Sequence, residues 1–338
     1  MKALVLAPFN QQTLEVLSKR ISIVYEPWTR TKRIWDPEEL GARIKDEDIN
    51  ILVVEVDFIF DEVLRESPPL QLVGLCRNAL NHVELDSAVR HGVLVVNTPG
   101  RNAQAVAELT IGMMFALSRQ FHQAHNYVKN RLWVDPIDPY ISLRGTELRG
   151  KTLGVVGFGS IGRKVGRLAH SLGLRILAND PFVIPPAYVQ RTTLDSLLTN
   201  SDFVSLHIPE NPKLEPIINK SSLELMKPTA FLINTSSSSL VEEDALLSAL
   251  DTNELAGAAL DVFQTHPVIS TSPLLKRDNI LFTPHLGGAT EETIDRYSES
   301  MARDLRLFLL GQTPQNLVKP DPSSPESFHH KGAGSDEI

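Results

Sequence analysis

One glycine-rich turn constrains the fold of this chain more than any other segment. The apolar run 153–156 predicts a strand, and the residues after it have the spacing Gly-x-Gly-x-x-Gly before a helical run at 163–171. Each glycine meets a separate requirement: Gly157 permits the tight turn, Gly159 lets a pyrophosphate approach the backbone, and Gly162 lets helix and strand pack closely. The segment therefore predicts a βα unit of a doubly wound α/β sheet that binds a dinucleotide.

The same segment predicts how the dinucleotide is held. The free N–H groups and the positive end of the helix dipole are expected to bind its phosphates. The loop residues concerned are Gly157, Phe158, Gly159, Ser160, Ile161 and Gly162. The next predicted strand, Arg175–Asn179, ends at Asp180, whose carboxylate can accept hydrogen bonds from ribose hydroxyls and would repel a 2′-phosphate. The pattern favours NAD over NADP; the alternative is a glycine-rich turn with an incidental aspartate.

Composition limits the class of protein. A chain of 338 residues is long for one core, so two domains are expected. The formal net charge of -8 argues against a nucleic-acid or anionic-membrane partner, since either would require a basic face. No apolar stretch approaches the ~20 residues of a membrane helix, and the N-terminal run 1–7 predicts a first strand rather than a targeting segment. With Cys76 as the single cysteine, we expect a cytoplasmic protein.

Short apolar runs alternate with amphipathic stretches, which indicates parallel sheets with helices on their faces. In the N-terminal block the predicted strands are Ala3–Leu6, Ile51–Val56, Gln71–Leu75 and Val93–Val96. A single helix is predicted from Ala103 to about Tyr127, followed by a loop at Trp133–Tyr140. Glu291–Leu310 predicts the last helix, and the polar residues 319–338 are expected to form a disordered tail.

A second βα series is predicted from Lys151 to His285, and three of its apolar runs lead into polar loops. These runs are Phe231–Ile233, Ala258–Leu260 and Ile280–Phe282, and each predicts a strand. Open α/β sheets bind their ligands beyond the carboxyl ends of the strands. The three loops are therefore the expected catalytic region.

These features together resemble the D-isomer-specific 2-hydroxyacid dehydrogenases over roughly residues 45–318. The motifs that carry the resemblance are the glycine-rich turn, the three loops, and the segments Asn97–Asn102, Ala105–Thr110, Ser201–Pro209 and Leu225–Pro228. The resemblance implies two doubly wound, Rossmann-like or flavodoxin-like domains with the active site in the cleft between them. The substrate domain would contain residues 1–98 and 290–318, and the NAD-binding domain residues 99–289. A homodimer built around the long helix is also implied.

The resemblance assigns one catalytic residue to each of the three loops, and two of them are substituted. The family is expected to carry Arg, Glu and His, whereas this chain has Ser237, His266 and His285. Ser237 cannot reproduce the bidentate contact of an arginine with a carboxylate, which removes on the order of 2–4 kcal/mol. Since two imidazoles in contact resist both being charged, His266 is expected to lower the pKa of His285 rather than raise it.

Further binding residues follow from the same resemblance. The cofactor site is expected to extend to Thr110, His207, Pro209, Thr235, Ser236, Asp261, His285 and Gly287. The loop expected to hold the substrate is not glycine-rich here, and its predicted substrate-binding residues are Arg77, Asn78 and Ala79, with Arg101 on a second loop. Either arginine could replace the missing anchor, or each could be a solvated or structural arginine. His266 and His285 lack a third ligand with zinc-like spacing, so no metal site is predicted.

Three functions are compatible with this pattern. The first is an NAD-dependent oxidoreductase that transfers a hydride between nicotinamide and a small, polar, anionic 2-hydroxy or 2-oxo acid, with His285 as acid and base and His266 as its partner. The second is a different NAD-using reaction in the same cleft, such as a lyase or isomerase with transient hydride transfer. The third is a catalytically weak protein that binds NAD(H). A fold shared with a family does not by itself carry the family's chemistry.

Overall fold

The computed structural model describes residues 1–209 and 215–319, and the chain divides into two compact units. The first unit contains Met1–Arg101 and the residues from Thr290 onward, and the second contains Asn102–Ala289. The two domain boundaries predicted from the sequence lie after residues 98 and 289. The predicted tail 319–338 lies outside the described residues, except for Lys319. Within the described ranges, no helix combines the length and the hydropathy needed to cross a bilayer.

Strands and helices alternate along both units. The strands are β1 (Lys2–Val5), β2 (Ser22–Tyr25), β3 (Ile51–Val54), β4 (Leu72–Leu75), β5 (Leu94–Asn97), β6 (Thr152–Val156), β7 (Arg175–Asn179), β8 (Val189–Arg191), β9 (Phe203–Leu206), β10 (Phe231–Asn234), β11 (Gly257–Leu260) and β12 (Ile280–Phe282). The helices are α1 (Gln11–Ser18), α2 (Trp28–Thr31), α3 (Pro37–Asp46), α4 (Asp61–Glu66), α5 (Leu85–Arg90), α6 (Ala103–Ser118), α7 (Phe121–Lys129), α8 (Ile137–Ser142), α9 (Ser160–Ser171), α10 (Leu194–Asn200), α11 (Lys220–Glu224), α12 (Glu243–Asp251) and α13 (Glu291–Leu309). Short 3-10 turns lie at Ser238–Leu240 and Pro273–Lys276.

The first unit is built on a parallel sheet. Its described strands have the flavodoxin-like order β2-β1-β3-β4-β5. Strand β3 is buried along its whole length because apolar clusters cover both faces of the sheet, and this explains its unbroken apolar run. Sequence patterns predicted β1, β3, β4 and β5 with ends within two residues. They missed β2, which is a partly exposed edge strand with Ser22 at the surface.

The last helix completes the core of the first unit. Along α13, the side chains of Tyr297, Met301 and Leu305 are buried at four-residue spacing and pack with residues of β1 and β3. A Cβ on Gly74 of β4 would lie 2.5 Å from Sδ of Met301, so a larger residue there would force the Met301 side chain to move. Residues from both ends of the chain therefore form one core.

The second unit is a doubly wound parallel sheet. Its described strands have the order β12-β11-β10-β9-β6-β7-β8. The chain proceeds outward from β6 to β8, returns to β9 beside β6, and then proceeds to β12 in the opposite direction. Ligands of such sheets bind where the strand order reverses, at the carboxyl ends of the strands. The predicted fold class, α/β with two doubly wound parallel sheets, is confirmed.

The prediction of one helix over residues 103 to about 127 is wrong. Helix α6 ends at Ser118, and Gln120 has a left-handed backbone with φ of 49° before α7 begins. The carbonyl of Ser118 accepts a hydrogen bond from the N–H of Thr146 (2.8 Å), which is distant in sequence. No glycine or proline marks this break, so the pattern of apolar residues could not locate it. The predicted loop at 133–140 also contains the start of α8.

Asp57 gives the first unit a predicted dependence of stability on pH. Its side chain is 1% exposed and accepts a hydrogen bond from the N–H of Trp35 (2.9 Å). Burial raises the pKa of Asp57 above its usual value of 3.8. The folded state therefore favours the protonated carboxyl, and this contribution to stability is lost as the pH rises through the raised pKa.

We expect Asp57→Asn to raise the free energy of unfolding at neutral pH, because the amide keeps an acceptor for Trp35 and carries no charge. The gain should vanish at acid pH. Urea denaturation at about pH 4 and about pH 7 measures the difference. Asp46→Asn, at an exposed position, is the matched control. A gain of equal size at both pH values would contradict the assignment of a raised pKa to Asp57.

Candidate active site

Glycines shape the turn between β6 and α9. Gly157 has a φ of +88°, and a Cβ there would lie 2.7 Å from the carbonyl oxygen of His207. A Cβ on Gly162 would lie 2.1 Å from the carbonyl oxygen of Gly157, so α9 packs against the turn only without a side chain at 162. Gly159 differs, because a Cβ there would meet no described atom within 4 Å. This open space fits the approach of a pyrophosphate to the backbone.

The start of α9 offers backbone donors to an anion. The helix begins at Ser160, three residues earlier than the predicted helical run, with Gly159 as its N-cap. Among the described residues no side chain caps this end, so the first N–H groups of the helix, including that of Ile161, are left for a ligand. Phe158 contributes only its backbone, since its ring is fully buried. The donors and the open space together fit a bound dinucleotide.

Asp180 follows β7 and is tied to the glycine turn. Its Oδ2 accepts a hydrogen bond from the N–H of Phe158 (2.7 Å), and its Oδ1 accepts from Phe182 (2.8 Å) and Val183 (3.0 Å). Burial raises the pKa of Asp180, but these three donors and the charge of Arg191 outweigh burial and hold the pKa below its usual range. A carboxylate has about four lone-pair sites, so Asp180 can still accept hydrogen bonds from ribose hydroxyls.

His207 lies directly after β9, beneath the glycine turn. It is 7% exposed, and its Nε2 lies 2.9 Å from Oγ of Ser205. Burial lowers the pKa of His207 to about 3, so the ring is neutral at physiological pH. No described residue forms a hydrogen bond with its Nδ1. His207 is thus placed as a neutral hydrogen-bonding group, and Pro209 follows it as the last residue before the gap in the described chain.

Hydroxyl groups from two elements meet near the carboxyl end of β10. Thr110 of α6 donates a hydrogen bond to the carbonyl of Val106 (2.8 Å), and its Oγ1 lies 3.3 Å from Oγ1 of Thr235. Both threonines are buried. The hydroxyl of Ser236 donates to the carbonyl of Ile208, which follows His207. The structure therefore brings these three predicted cofactor residues close to the ends of β9 and β10.

Asp261 organises the loop that carries His285. Its Oδ1 accepts hydrogen bonds from the Thr283 hydroxyl (2.5 Å) and the Leu286 N–H (2.7 Å), and its Oδ2 accepts from the Gly287 N–H (2.8 Å). Asp261 is 1% exposed. The sequence predicted Asp261 and Gly287 as cofactor residues, but it did not predict the hydrogen bond between them. The one available signal was an aspartate directly after the apolar run 258–260.

His266 and His285 form a pair at the ends of β11 and β12. Their ring centroids are 5.1 Å apart with an interplanar angle of 47°, and both side chains are exposed. Phe263 meets the His266 ring edge to face at 6.1 Å. His285 has a left-handed backbone, with φ of 55°, which is uncommon outside glycine and often found at functional sites. Among the described residues no group of three His, Cys, Asp or Glu is placed to hold a metal ion.

The side chain of Ser237 forms hydrogen bonds within its own loop. The side chain is 7% exposed, its hydroxyl lies 2.9 Å from that of Ser239, and it accepts a hydrogen bond from the Ser239 N–H (3.3 Å). It thereby caps the short turn Ser238–Leu240. Asn234 supports the same loop, since its Nδ2 donates to the carbonyl of Ser237 (2.8 Å).

Arg101 is engaged within the first unit. Its Nη1 lies 2.7 Å from Oε1 of Glu55, and both side chains are more than four-fifths buried. Its guanidinium lies 5.1 Å from the ring centroid of Tyr297, and its carbonyl accepts a hydrogen bond from Nε of Arg296 (2.7 Å). All of these partners belong to the first unit. Sequence reasoning missed Glu55, although a carboxylate directly after the buried strand β3 was a signal.

Arg77 lies in the loop after β4, against a histidine. Its Nη1 contacts Nε2 of His82 and is 3.5 Å from the carbonyl oxygen of Glu55. The His82 ring stacks on Phe58 at 4.2 Å, and burial, followed by the charge of Arg77, lowers the pKa of His82 to about 4. A neutral His82 can therefore accept the hydrogen bond of the guanidinium. The adjoining predicted residues, Asn78 and Ala79, are exposed.

A matched pair of glycine substitutions separates folding from cofactor binding. Gly162→Ala places a Cβ 2.1 Å from a carbonyl oxygen, so we expect it to lower both the melting temperature and the affinity for NADH. Gly159→Ala meets open space, so we expect an unchanged melting temperature and weaker NADH binding. Thermal denaturation and NADH fluorescence titration measure the two effects. An unchanged affinity in Gly159→Ala would place the pyrophosphate elsewhere.

The fold and this site define a dinucleotide-binding α/β protein of the dehydrogenase type. The family model described as "D-isomer specific 2-hydroxyacid dehydrogenase, NAD binding domain" matches residues 111–287. The chain is 38% identical to a glyoxylate reductase of Thermofilum pendens over 293 residues, which is 84% of this chain and 85% of that protein. It is 36% identical to a D-3-phosphoglycerate dehydrogenase of Synechocystis sp., over 77% of this chain and 47% of that longer protein.

A solved structure gives the same result. The putative D-isomer specific 2-hydroxyacid dehydrogenase from Polaromonas sp. superposes with a TM-score of 0.86 at 27% identity, covering 94% of this chain and 99% of that one. The chain belongs to the D-isomer-specific 2-hydroxyacid dehydrogenase family, and its second unit contains the NAD-binding domain.

Proposed function

We propose that this protein is an NAD-dependent oxidoreductase that transfers a hydride between nicotinamide and a small, polar, anionic 2-hydroxy or 2-oxo acid, with a substrate site altered at two positions. The observation that carries the proposal is the His266–His285 pair, with ring centroids 5.1 Å apart. Its two loops follow β11 and β12, and the glycine turn follows β6. Since these strands are parallel, the loops and the turn lie at the same edge of the sheet.

The chain's own residues move the proton. When bound, NAD supplies the carbon that accepts or gives the hydride. In the oxidative direction His285 takes the proton from the substrate hydroxyl, and in the reductive direction it gives a proton to the 2-oxo oxygen. In this proposal His266 fixes the tautomer of His285 and passes the proton onward. Asp261 supports the step by holding the His285 loop in one conformation.

The anion of the substrate needs a new partner in this proposal, because Ser237 lies where the resemblance leads us to expect arginine. We assign this role to Arg77, with the backbone of Asn78 and Ala79 beside it. A guanidinium offers a carboxylate two parallel donors, which no hydroxyl can do. Arg101, which forms an ion pair with Glu55, is the second candidate. We keep Ser237, on the loop after β10, among the proposed catalytic residues.

A substrate panel tests the proposed function. NADH oxidation is followed by absorbance with glyoxylate, hydroxypyruvate and larger 2-oxo acids derived from sugars. We expect saturable turnover with at least one of them. Tight NADH binding without turnover on any member of the panel would contradict the proposal.

Two alternatives are favoured by the same substitutions. Without an arginine at 237 and a glutamate at 266, the chain could catalyse a lyase or isomerase reaction with transient hydride transfer, or bind NAD(H) with little catalysis. The first alternative gives product without net consumption of NADH. The second gives NADH binding with no product. Product analysis in the substrate panel separates both from net hydride transfer.

We also propose a homodimer, in a cytoplasmic protein. Exposed apolar side chains concentrate on α7, α8 and the segment between them, with Trp133 60%, Val134 85% and Tyr140 74% exposed. A patch of this kind is typical of a protein interface. Light scattering should give twice the chain mass of 37.5 kDa, and a Trp133→Glu, Val134→Glu variant should give the chain mass. A monomeric wild-type protein would contradict the proposal.

A further inference from the structure

Arg191 lies at the end of an edge strand, next to the ribose end of the cofactor site. Among the described strands, β8 is the last of its sheet, and it pairs with β7 so that Arg191 is opposite Ala178. The N–H of Thr192 donates to the carbonyl of Ala178 (3.0 Å), and Nδ2 of Asn179 donates to the carbonyl of Thr192 (3.0 Å). These bonds fix the end of β8 against the end of β7.

This register brings Arg191 close to the end of β7, which Asp180 follows. Paired residues of neighbouring strands have their side chains on the same face, and residues two apart along a strand share a face. Asp180 comes two residues after Ala178, just beyond the end of β7, and the charge of Arg191 acts on its carboxylate. Nη2 of Arg191 donates to the carbonyl of Pro181 (3.0 Å), the residue after Asp180, and the side chain is exposed.

The negative charge of Asp180 is offset from two directions. Three backbone N–H groups donate to its oxygens, and Arg191 attracts it electrostatically. The argument that an aspartate at this position repels a 2′-phosphate considers the carboxylate alone. Here a phosphate on the ribose would meet a carboxylate and a guanidinium together.

We propose that Arg191 binds the 2′-phosphate of NADPH, so that this chain accepts NADPH as well as NADH. An arginine near the ribose is one of the ways in which doubly wound domains accommodate that phosphate. The guanidinium fork matches two phosphate oxygens, and its position at an open sheet edge allows the side chain to turn toward the ligand. The proposal rests on the cofactor site of the proposed function, but it does not depend on which substrate is reduced.

Equilibrium binding tests the proposal without turnover. The full chain is titrated with NADH and with NADPH, followed by nicotinamide fluorescence. It is also titrated with adenosine 5′-phosphate and adenosine 2′,5′-bisphosphate, followed by calorimetry. The variants are Arg191→Ala and Arg191→Lys. Arg167→Ala, which removes an exposed arginine from α9, controls for the loss of one positive charge.

We expect the wild-type chain to bind both dinucleotides. Arg191→Ala should weaken the binding of NADPH and of the bisphosphate by about tenfold or more. It should leave the affinities for NADH and adenosine 5′-phosphate unchanged. The NADPH affinity of Arg191→Lys should lie between those of the wild type and Arg191→Ala, since lysine keeps the charge but lacks the two parallel donors of the guanidinium. Arg167→Ala should bind all four ligands as the wild type does.

Three results would overturn the assignment: no NADPH binding by the wild-type chain, no effect of Arg191→Ala, or an equal effect on NADH and NADPH. Failure to bind either dinucleotide would contradict the cofactor site itself, and this proposal with it. A selective effect of Arg191→Ala in a protein that turns over no 2-oxo acid would support the assignment and contradict the proposed function alone.

Discussion

Replacing His285 with alanine is expected to lower the rate of 2-oxo acid reduction by about 10²–10⁴-fold, the usual contribution of a general acid or base. The affinity for NADH should fall much less than the rate, because the glycine turn and the start of α9, which are expected to bind the pyrophosphate, are formed by other residues. Reduction removes a hydride from NADH and requires a proton at the substrate oxygen, and His285 is the exposed titratable side chain held at the end of β12 by the Asp261 network. Steady-state kinetics and NADH titration measure the two quantities.

The matched control is His125→Ala, which removes an exposed histidine from α7. It should leave both kcat and NADH affinity unchanged. If His285→Ala retained the wild-type rate, the proposed proton transfer would be wrong. If it lost NADH binding as well, the residue would serve the cofactor rather than the substrate oxygen.

The second large effect is a gain of activity. Ser237→Arg together with His266→Glu restores the residues that the family resemblance led us to expect, and we predict an increase in ordinary 2-oxo acid reduction of about 10²–10³-fold. The arginine would bind the substrate carboxylate, and the glutamate would favour the protonated form of the catalytic imidazole. The single variants are the controls, since the two residues act on different groups of the substrate site.

The comparison of kcat/KM among the wild type, both single variants and the double variant measures this gain. Melting temperatures are needed too, because Ser237 is 7% exposed and bonds to Ser239. A double variant that folds and binds NADH without any gain would mean that the loop around Arg77 is also incompatible with ordinary substrates.

The parts of the fold that follow local rules could be predicted from the sequence. Strand β3, which is buried along its whole length, has an unbroken apolar run, and the glycine turn has a spacing that few other structures require. The edge strand β2 could not be predicted, since it is short and partly exposed. The end of α6 was also hidden, because no glycine or proline marks it and the residue that bonds to the Ser118 carbonyl, Thr146, is distant in sequence.

The candidate site shows the same division. The order of the loops and the family resemblance predicted His285 and His266 as partners, and the structure brings their ring centroids to 5.1 Å from each other. Contacts between distant residues were not readable in this way. The Glu55–Arg101 ion pair joins residues 46 positions apart, and it decides that this arginine is engaged within the first unit. The position of Arg191 beside Asp180 depends on the register of β8, which no local pattern specifies.

The three hydrogen bonds of Asp261 have a consequence for how such a site diverges. They fix the backbone around His285 without using the side chains at positions 237 or 266. Substitutions at those two positions can therefore alter which molecule is recognised while the acid–base residue keeps its place. Divergence of substrate preference in this chain would need few changes and would leave the scaffold of the reaction intact, which makes the two positions natural targets for laboratory evolution.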